Sequence, residues 1–194
     1  MKIFDLYGTE DVKIEDFGLK RYINLDIKLV LKSRGRYRER FGKAKVNIVE
    51  RLINIVAVPG HRGKKHKIMT KSCGKYTKGA NIVLGAFKII EERTKENPIQ
   101  VLVRAVEKAA PRDEITTIEY GGARYPQATD SAPLRRLNVA LKHIVHGAYD
   151  KAFAKKKKIP ETLANEIILA SKGTNESFAI TKKIETEKQA DSAR

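Results

Sequence analysis

The amino-acid sequence predicts a mainly α-helical bundle of about six helices, with one protruding β-hairpin and a basic N-terminal extension. Apolar residues recur at spacings of three and four over several segments, which is the period of a helix with one buried face. A Gly-Gly pair separates two runs of β-branched and aromatic residues, which indicates a hairpin. The first part of the chain lacks a sustained helical period and is rich in basic side chains. We therefore divide the chain into an extension, residues 1–45, and a bundle, residues 46–194.

The composition bounds the size of the core and the kind of partner. A chain of 194 residues, 41% of them hydrophobic, can fill one ordinary core. The 40 Lys and Arg outnumber the 23 Asp and Glu, so the formal net charge is +17. Nucleic acid is the commonest polyanion that could neutralise this self-repulsion. A membrane partner is not expected, since no apolar run could span a bilayer and the acidic start is unlike a signal peptide. We expect a cytoplasmic protein.

The extension contains two distinct stretches. Residues 23–29 alternate apolar and polar side chains, as in a half-buried strand or in an extended arm lying on a surface. The sequence leaves both possibilities open. Residues 32–43 are basic with a single acid, Glu39, and have Tyr37 and Phe41 interleaved.

Two helices flank a strongly basic segment. A first short helix follows from the apolar spacing that begins at Val46, and the Pro-Gly pair at 59–60 ends it. Residues 60–78 contain no acid and many basic side chains, so we predict a basic loop. A second helix buries apolar residues from Val83 to about Lys95.

A third helix and the hairpin come next. Asn97-Pro98 predicts a helix start, because Asn can accept from the open amides of the first turn and Pro tolerates the first helical position. The hairpin is predicted at about residues 113–130. Gly121-Gly122 forms its turn, since a two-residue turn requires positive φ, which glycine adopts readily.

Two more helices and a lysine run follow the hairpin. Ser131-Ala-Pro133 opens a long helix that ends near Phe153. Residues 155–158 are four consecutive lysines. A fifth helix then ends at Gly173, because glycine is the usual residue just beyond a helix.

The last segment, residues 177–194, is highly charged. We expect Phe178 and Ile184 to be its only large apolar anchors. We predict a helix that needs a packing partner.

No motif for catalysis or metal binding stands out. Residues 60–65 lack the Gly-Lys-Ser/Thr ending of a nucleotide-phosphate loop. His143, His146 and Asp150 could share one helix face, but nothing nearby supplies a fourth metal ligand, so we prefer a solvated or RNA-facing histidine pair. Cys73 is the only cysteine, which excludes an internal disulfide. We predict no enzyme activity, no cofactor and no metal.

The basic clusters are more informative than these motifs. They fall in residues 32–45, 60–78 and 155–158, all predicted loops or extensions, while the helices supply the core. Such segments on a compact scaffold suit a polyanion of irregular shape, with Arg pairing to phosphate as a fork and Lys as a point charge. This favours folded RNA over duplex DNA.

Ten motifs occur together in the sequence: residues 1–14, Ser33-Arg-Gly-Arg-Tyr37, Asn47-Ile-Val-Glu-Arg-Leu52, Asn97-Pro-Ile-Gln-Val-Leu-Val103, Ala110-Pro-Arg112, Tyr120-Gly-Gly122, Ala132-Pro-Leu-Arg-Arg136, Leu163-Ala-Asn-Glu-Ile167, Ser177-Phe-Ala-Ile180 and Ser192-Ala-Arg194. In combination they resemble one known family, ribosomal protein seven of the small subunit in its archaeal and eukaryotic form. The resemblance covers nearly the whole length. Between Pro59 and Ala80 the chain is longer than the family pattern, and either Gly63-Lys64-Lys65 or Gly74-Lys75 could be the equivalent of the family's Gly-Lys-Lys loop. Residues 27–31 are also more apolar.

The resemblance implies a structural protein that binds the 3′ major domain of small-subunit ribosomal RNA and nucleates assembly of the subunit head. It also implies a position beside the exit-site tRNA and the mRNA path, among neighbouring ribosomal proteins of the head and platform. From the clusters and motifs together, the predicted RNA contacts are Arg34, Arg36, Arg38, Arg40, Lys43, Lys45, Arg62, Lys64, Lys65, Lys67, Lys71, Lys75, Lys78, Arg112, Arg124, Tyr125, Arg135, Arg136, Lys182, Lys183 and Arg194.

A non-ribosomal helical nucleic-acid-binding module, such as a helix-turn-helix regulator, is the main alternative. It would need an exposed recognition helix, whereas the longest predicted helix carries a broad apolar stripe. An RNA-directed enzyme is the third class, and no acid, base or metal set supports it.

Overall fold

A computed structural model describes residues 2–28, 31–33, 39–62, 65–66 and 73–194, with the backbone alone at 61, 65 and 66. These residues form seven α-helices, one 3₁₀ helix and two antiparallel strand pairs. The helices are α1 (Phe17–Lys20), the 3₁₀ helix (Gly42–Lys45), α2 (Ile48–Val56), α3 (Tyr76–Thr94), α4 (Pro98–Ala109), α5 (Pro133–Ala152), α6 (Ile159–Lys172) and α7 (Phe178–Asp191). The strands are β1 (His61–Arg62), β2 (Lys65–His66), β3 (Asp113–Tyr120) and β4 (Ala123–Asp130).

The predicted fold class is confirmed, since the described chain is mainly α-helical with a long β-hairpin. The six helices α2 to α7 are the six predicted ones. The side chain of Asn97 accepts from Ile99 N at 3.0 Å, and Pro98 occupies the first turn of α4. Gly173 ends α6 with a φ of 78°. Local capping chemistry therefore sets these helix boundaries.

The hydrophobic core lies among α2, α3, α4, α5 and α6. α6 packs against α3, α4 and α5, so it occupies the middle of the bundle. Phe87, Leu102, Leu141 and Ile144 are fully buried, each on the apolar stripe of its helix. None of the helices in the described ranges has both the length and the apolar character that crossing a lipid bilayer requires.

The N-terminal segment contributes to this core, which corrects the expectation that its apolar residues lie outside it. Ile3, Leu19, Ile23 and Leu31 are buried against the bundle. Their spacing is irregular because most of the segment is neither helix nor strand. Helical periodicity therefore could not detect their burial.

The stretch that begins at Ile23 is an extended arm rather than a paired strand. A single parallel bridge joins Asn24 to Asn47. The side-chain amide of Asn47 donates to Asp26 O at 2.9 Å, which ties the arm to the start of α2. Residues 29–30 lie outside the described residues.

The basic loop predicted at residues 60–78 is corrected in two places. β1 and β2 form a short antiparallel pair. α3 begins at Tyr76, so Lys78 is helical. The basic side chains here give no apolar period, and pattern alone cannot separate a loop from a helix start. Residues 63–64 and 67–72 lie outside the described residues.

The charged C-terminal helix has the bundle itself as its partner. α7 packs against α4, α5, α6 and the base of the hairpin. Phe178 is half-buried, and Ile184 is partly buried against the core. The prediction of these two as the only large anchors is wrong, because Ile180 is more deeply buried than either, at 5% exposure.

A buried carboxylate fixes the start of α7. Glu166 is fully buried on α6 and accepts from Ser177 Oγ and from Lys151 Nζ, each at 2.7 Å. These donors offset the cost of burying its charge. Gly147 on α5 leaves room for the first residue of α7, since a Cβ at position 147 would lie 2.7 Å from Cβ of Phe178.

Candidate nucleic-acid interface

Two basic segments that are distant in sequence meet at one end of the bundle. The hydroxyl of Tyr149, near the end of α5, donates to Val56 O at 3.1 Å. Gly74 N, just before α3, donates to Ala57 O at 3.0 Å. The end of α2, the start of α3 and the end of α5 therefore lie together. We call this region the lysine end, and its exposed lysines are Lys75, Lys78, Lys155, Lys156, Lys157 and Lys158.

Positive charge continues along one side of α5. Lys43 of the 3₁₀ helix and Lys142 of α5 line an open depression of about 380 Å³, together with Val58 and His146. Both lysines are exposed. Neither forms an ion pair with another residue in the described part of the chain. A polyanion that followed this side would meet cations from separate elements of the fold.

Arg62 reaches the same side from β1 but is held by the fold. Its guanidinium forms two hydrogen bonds of 2.7 Å with the carboxylate of Asp150 and one of 3.2 Å to His146 O. Only 14% of the Arg62 side chain is exposed. A two-bond pair of this kind is strong and directional. The geometry therefore favours a role for Arg62 in holding β1 against α5.

Arg136, another predicted RNA contact, is also engaged inside the protein. Its Nη2 lies 3.0 Å from Asp16 Oδ2, and its Nε donates to Pro111 O at 3.1 Å. The side chain is 12% exposed. Arg136 thus joins the N-terminal segment to the start of α5, and little of it is left to meet RNA.

The hairpin turn has the geometry that the sequence predicts. Gly121 and Gly122 have φ of 58° and 82°, so both lie in the left-handed region that a tight two-residue turn requires. Next to the turn, Arg124 Nε lies 3.6 Å from Glu119 Oε2. The Arg124 side chain is 74% exposed. It therefore remains accessible to RNA although one carboxylate is near.

One face of the hairpin is apolar and exposed. Ile118 and Tyr125 are cross-strand partners, and Tyr120 lies two residues along on the same face. Their exposures are 45%, 58% and 81%. Because Tyr125 is more than half exposed, its ring is accessible for stacking on another molecule.

Four further predicted contacts have partners near the base of the hairpin or on α7. Three of them form ion pairs with side chains that are 39% to 61% exposed on the cationic residue. The fourth, Lys183, donates to a backbone carbonyl. Exposed pairs of this kind contribute little to stability, so a phosphate could compete for these cations. The pairs are Arg135 with Glu114, Arg194 with Asp113, Lys182 with Glu185 and Lys183 with Lys108 O.

The other predicted contacts, apart from Lys65, are either exposed or outside the described residues. Lys65 lies in β2 with only its backbone described. The lysine run at 155–158 is absent from the predicted contacts, although its charge marks it in the sequence. Those that are exposed are Arg40, Lys43, Lys45, Lys75, Lys78 and Arg112. Those that lie outside the described residues are Arg34, Arg36, Arg38, Lys64, Lys67 and Lys71.

The two histidines of α5 are packed into the fold, which corrects the expectation of a solvated or RNA-facing pair. His146 is 7% exposed, and the ring of His143 is 6.2 Å from that of Phe178. Burial, followed by repulsion from nearby cations, lowers the pKa of each histidine to about 4. Asp150 is bound by Arg62. Across the described ranges, no group of three or more His, Cys, Asp or Glu could hold a metal ion.

The whole chain is similar to known proteins of one kind. A family model described as "Ribosomal protein S7p/S5e" matches residues 19–194. "Small ribosomal subunit protein uS7" of Nanoarchaeum equitans is 50% identical over 196 residues, which cover 100% of this chain and 99% of that protein. The protein of the same name from Methanothermobacter thermautotrophicus is 48% identical over 98% of each chain. That of Methanosphaera stadtmanae is 45% identical over 99% of this chain and 98% of its own.

Proposed function

Because the chain belongs to the family described as ribosomal protein S7p/S5e, we propose that it is a structural constituent of the small ribosomal subunit that binds ribosomal RNA. The observation that carries RNA binding is the meeting of separate basic segments at the lysine end. Clustered, exposed cations on a compact scaffold suit the phosphates of a folded RNA. The relatives of similar length are named as small-subunit proteins, which supports the assignment to that subunit.

The RNA partner is the 3′ major domain of small-subunit ribosomal RNA, and binding to it nucleates assembly of the subunit head. The lysine end and the exposed Lys43 and Lys142 beside α5 form the main RNA surface. The residues of this surface come from several elements of the fold that are far apart in sequence. RNA binding would therefore also hold those elements together, as an assembly nucleus requires.

The hairpin forms a second, separate contact region. It leads into the start of α5, whereas the lysine end follows the end of that helix. α5 has 20 residues, so the two regions are separated by about 30 Å. The hairpin tip, with Arg124 and Tyr125, reaches toward the exit-site tRNA and the mRNA path. Neighbouring proteins of the head and platform pack beside it, on ribosomes in the cytoplasm.

A helix-turn-helix regulator is not favoured by this geometry. Such a module needs an exposed recognition helix. The longest helix, α5, instead buries Leu137, Leu141, Ile144 and Val145 in the core.

Chemical footprinting tests the proposal directly. The full chain is mixed with a transcript of the 3′ major domain and, separately, with a transcript of the 5′ domain of the same RNA. We expect strong protection in the 3′ transcript only. Equal protection of both transcripts, or of neither, would overturn the proposal. Co-sedimentation with small subunits in a sucrose gradient should accompany the protection.

A pair of matched variants tests which surface binds. Replacing two lysines of the lysine end, K157Q/K158Q, should weaken the footprint. Removing the same charge from two exposed lysines that lie away from that end, K88Q/K172Q, should leave it nearly unchanged. Equal effects of both changes would show that net charge, and not the lysine end, governs binding.

A further inference from the structure

An apolar pocket of about 510 Å³ opens beside the run of four lysines, residues 155–158, at the lysine end. It lies between α3, the end of α5 and the start of α6. A ligand that complements such a pocket has an apolar part, which fits the walls, and a negative charge, which pairs with the lysines. The apolar walls come from Ile82, Tyr149, Phe153, Ile159 and Pro160.

Phe153 is the most exposed large residue of these walls, at 58%. Hydrogen bonds hold its backbone in place, from Phe153 N to Tyr149 O at 2.8 Å and from Lys155 N to Ala152 O at 3.2 Å. Ala154 between them has a φ of 57°, which turns the chain sharply after α5. The phenyl ring is thus presented to solvent from a hydrogen-bonded turn. Exposed apolar surface beside polar groups is typical of an interaction site.

The charge around the pocket is strongly positive. Lys157 and Lys158 line it, and residues 155–158 are all exposed. None of the four lysines pairs with a carboxylate among the described residues. Asp150 and Glu161, the acids nearest the run on the flanking helices, are engaged elsewhere, Asp150 by Arg62 and Glu161 by Arg93 at 3.9 Å. Among the described residues, the lysine run therefore lacks a paired carboxylate.

We propose that this pocket receives one unpaired nucleobase of the bound RNA, stacked on Phe153, while the adjoining phosphates pair with the lysine run. The inference rests on the proposed RNA-binding function and adds a defined base site to it. The Tyr149 hydroxyl is already bonded to Val56 O. The apolar walls then offer stacking but no side-chain hydrogen bonds, so the site should accept any base.

An acidic peptide with an apolar side chain would also match the charge of the pocket. RNA fits better, because it combines a continuous run of negative charges with flat, unpaired bases that stack on an aromatic ring. Four adjacent lysines on a short loop are matched better by consecutive phosphates than by the isolated carboxylates of a peptide.

Affinity for the 3′ major domain transcript, measured over a range of salt concentrations with the full chain, tests the base site. F153A should weaken binding about five- to tenfold, as the loss of one stacked base does, and leave the salt dependence unchanged. F153Y should bind like the wild type, whereas F153L should bind as weakly as F153A. L6A is the matched control, since Leu6 is 51% exposed, follows the acid Asp5 and lies outside the lysine end and the hairpin. It should have no effect, and melting temperatures should show that all variants fold.

The outcomes separate this inference from the proposed function. If the wild type fails to bind the transcript, RNA binding itself is wrong. If the wild type binds and F153A or F153L binds equally well, only the base site is overturned. The inference is also overturned if F153A keeps full RNA affinity but loses binding of a synthetic acidic amphipathic peptide, because the pocket is then a protein-docking site.

Discussion

The guanidinium of Arg62 and the carboxylate of Asp150 face each other across two hydrogen bonds, each 2.7 Å long. The two residues are 88 positions apart in the chain, so the pair joins β1 to the last turn of α5. Their side chains are 14% and 40% exposed, which leaves the pair only partly screened by water. A cation that the sequence marks as an RNA contact therefore has a structural partner.

R62A should lower the free energy of unfolding by about 1–2 kcal/mol, because Asp150 loses a charged, two-bond donor. R62K should recover only part of this loss, since an ammonium group cannot form both bonds in the same geometry. Urea denaturation measures both effects. The scaffold role would be contradicted if R62A kept its full stability and lost only RNA affinity.

Replacing both turn glycines by valine should destabilise the hairpin. Gly121 and Gly122 both have positive φ, which β-branched residues adopt only with strain, so G121V/G122V should cost about 1–3 kcal/mol. G121N is the matched control, because Asn-Gly suits this turn. Thermal unfolding compares the three proteins. Equal melting temperatures would show that the turn tolerates another conformation.

Removing the hairpin-tip side chains should affect the exit site more than the fold. Arg124 and Tyr125 are exposed and make few contacts with the bundle, so R124A/Y125A should leave the melting temperature nearly unchanged. Occupancy of exit-site tRNA on reconstituted subunits should fall. Unchanged occupancy with a lowered melting temperature would show that the tip is scaffold and not a contact.

Acidification should destabilise the protein through the two histidines of α5. The pKa of His143 and of His146 is about 4 in the fold against an ordinary value of 6.5, chiefly because burial disfavours the charged form. Between these values the unfolded chain binds more protons, so the free energy of unfolding falls as the pH drops from 6.5 toward 4. Above pH 6.5 this contribution is fully present.

H143Q/H146Q tests this dependence, since glutamine keeps a polar side chain without the titration. Denaturant unfolding at a series of pH values should show a shallower decline between pH 6.5 and 4 than in the wild type. Above pH 7 the two proteins should have parallel profiles. Identical slopes in the acid range would assign the decline to carboxylates instead.

RNA binding should depend steeply on salt. If about six cations pair with phosphates, log K should fall against log salt with a slope of roughly −4 to −5, because each contact releases counterions. Filter binding over a range of KCl concentrations measures the slope. A slope near −1 would contradict an interface built from several basic segments.

The helices and the hairpin were predictable because their signals are local. Asn97 caps an amide two residues ahead of it, and Pro98 occupies a position in the first turn where no amide hydrogen is needed. Gly121 and Gly122 form the turn by themselves. Such contacts involve residues close together in the chain, and a pattern read along the sequence captures them. The burial of the N-terminal segment was not predictable in this way, because Ile3 is buried without belonging to a helix or strand.

The positive charge of the binding surface was predictable, but the particular residues that form it were not. Arg136 is a plausible phosphate ligand by residue type, yet its partner is Asp16, which lies 120 positions away. Whether a cation meets a phosphate or a carboxylate depends on how distant elements pack. No local pattern records that pairing.

Reading along the chain is enough to predict the order of the helices, the position of the hairpin turn, the sign of the charge and the family resemblance, because each rests on neighbouring residues or on composition. Three features are evident only in the folded chain: Lys75 and Lys155 belong to one surface, His146 is buried, and an apolar pocket opens beside Phe153. These features arise where α2, α3, α5 and α6 meet. Burial and proximity are properties of such packed contacts between distant segments, and they exist only once the chain has folded.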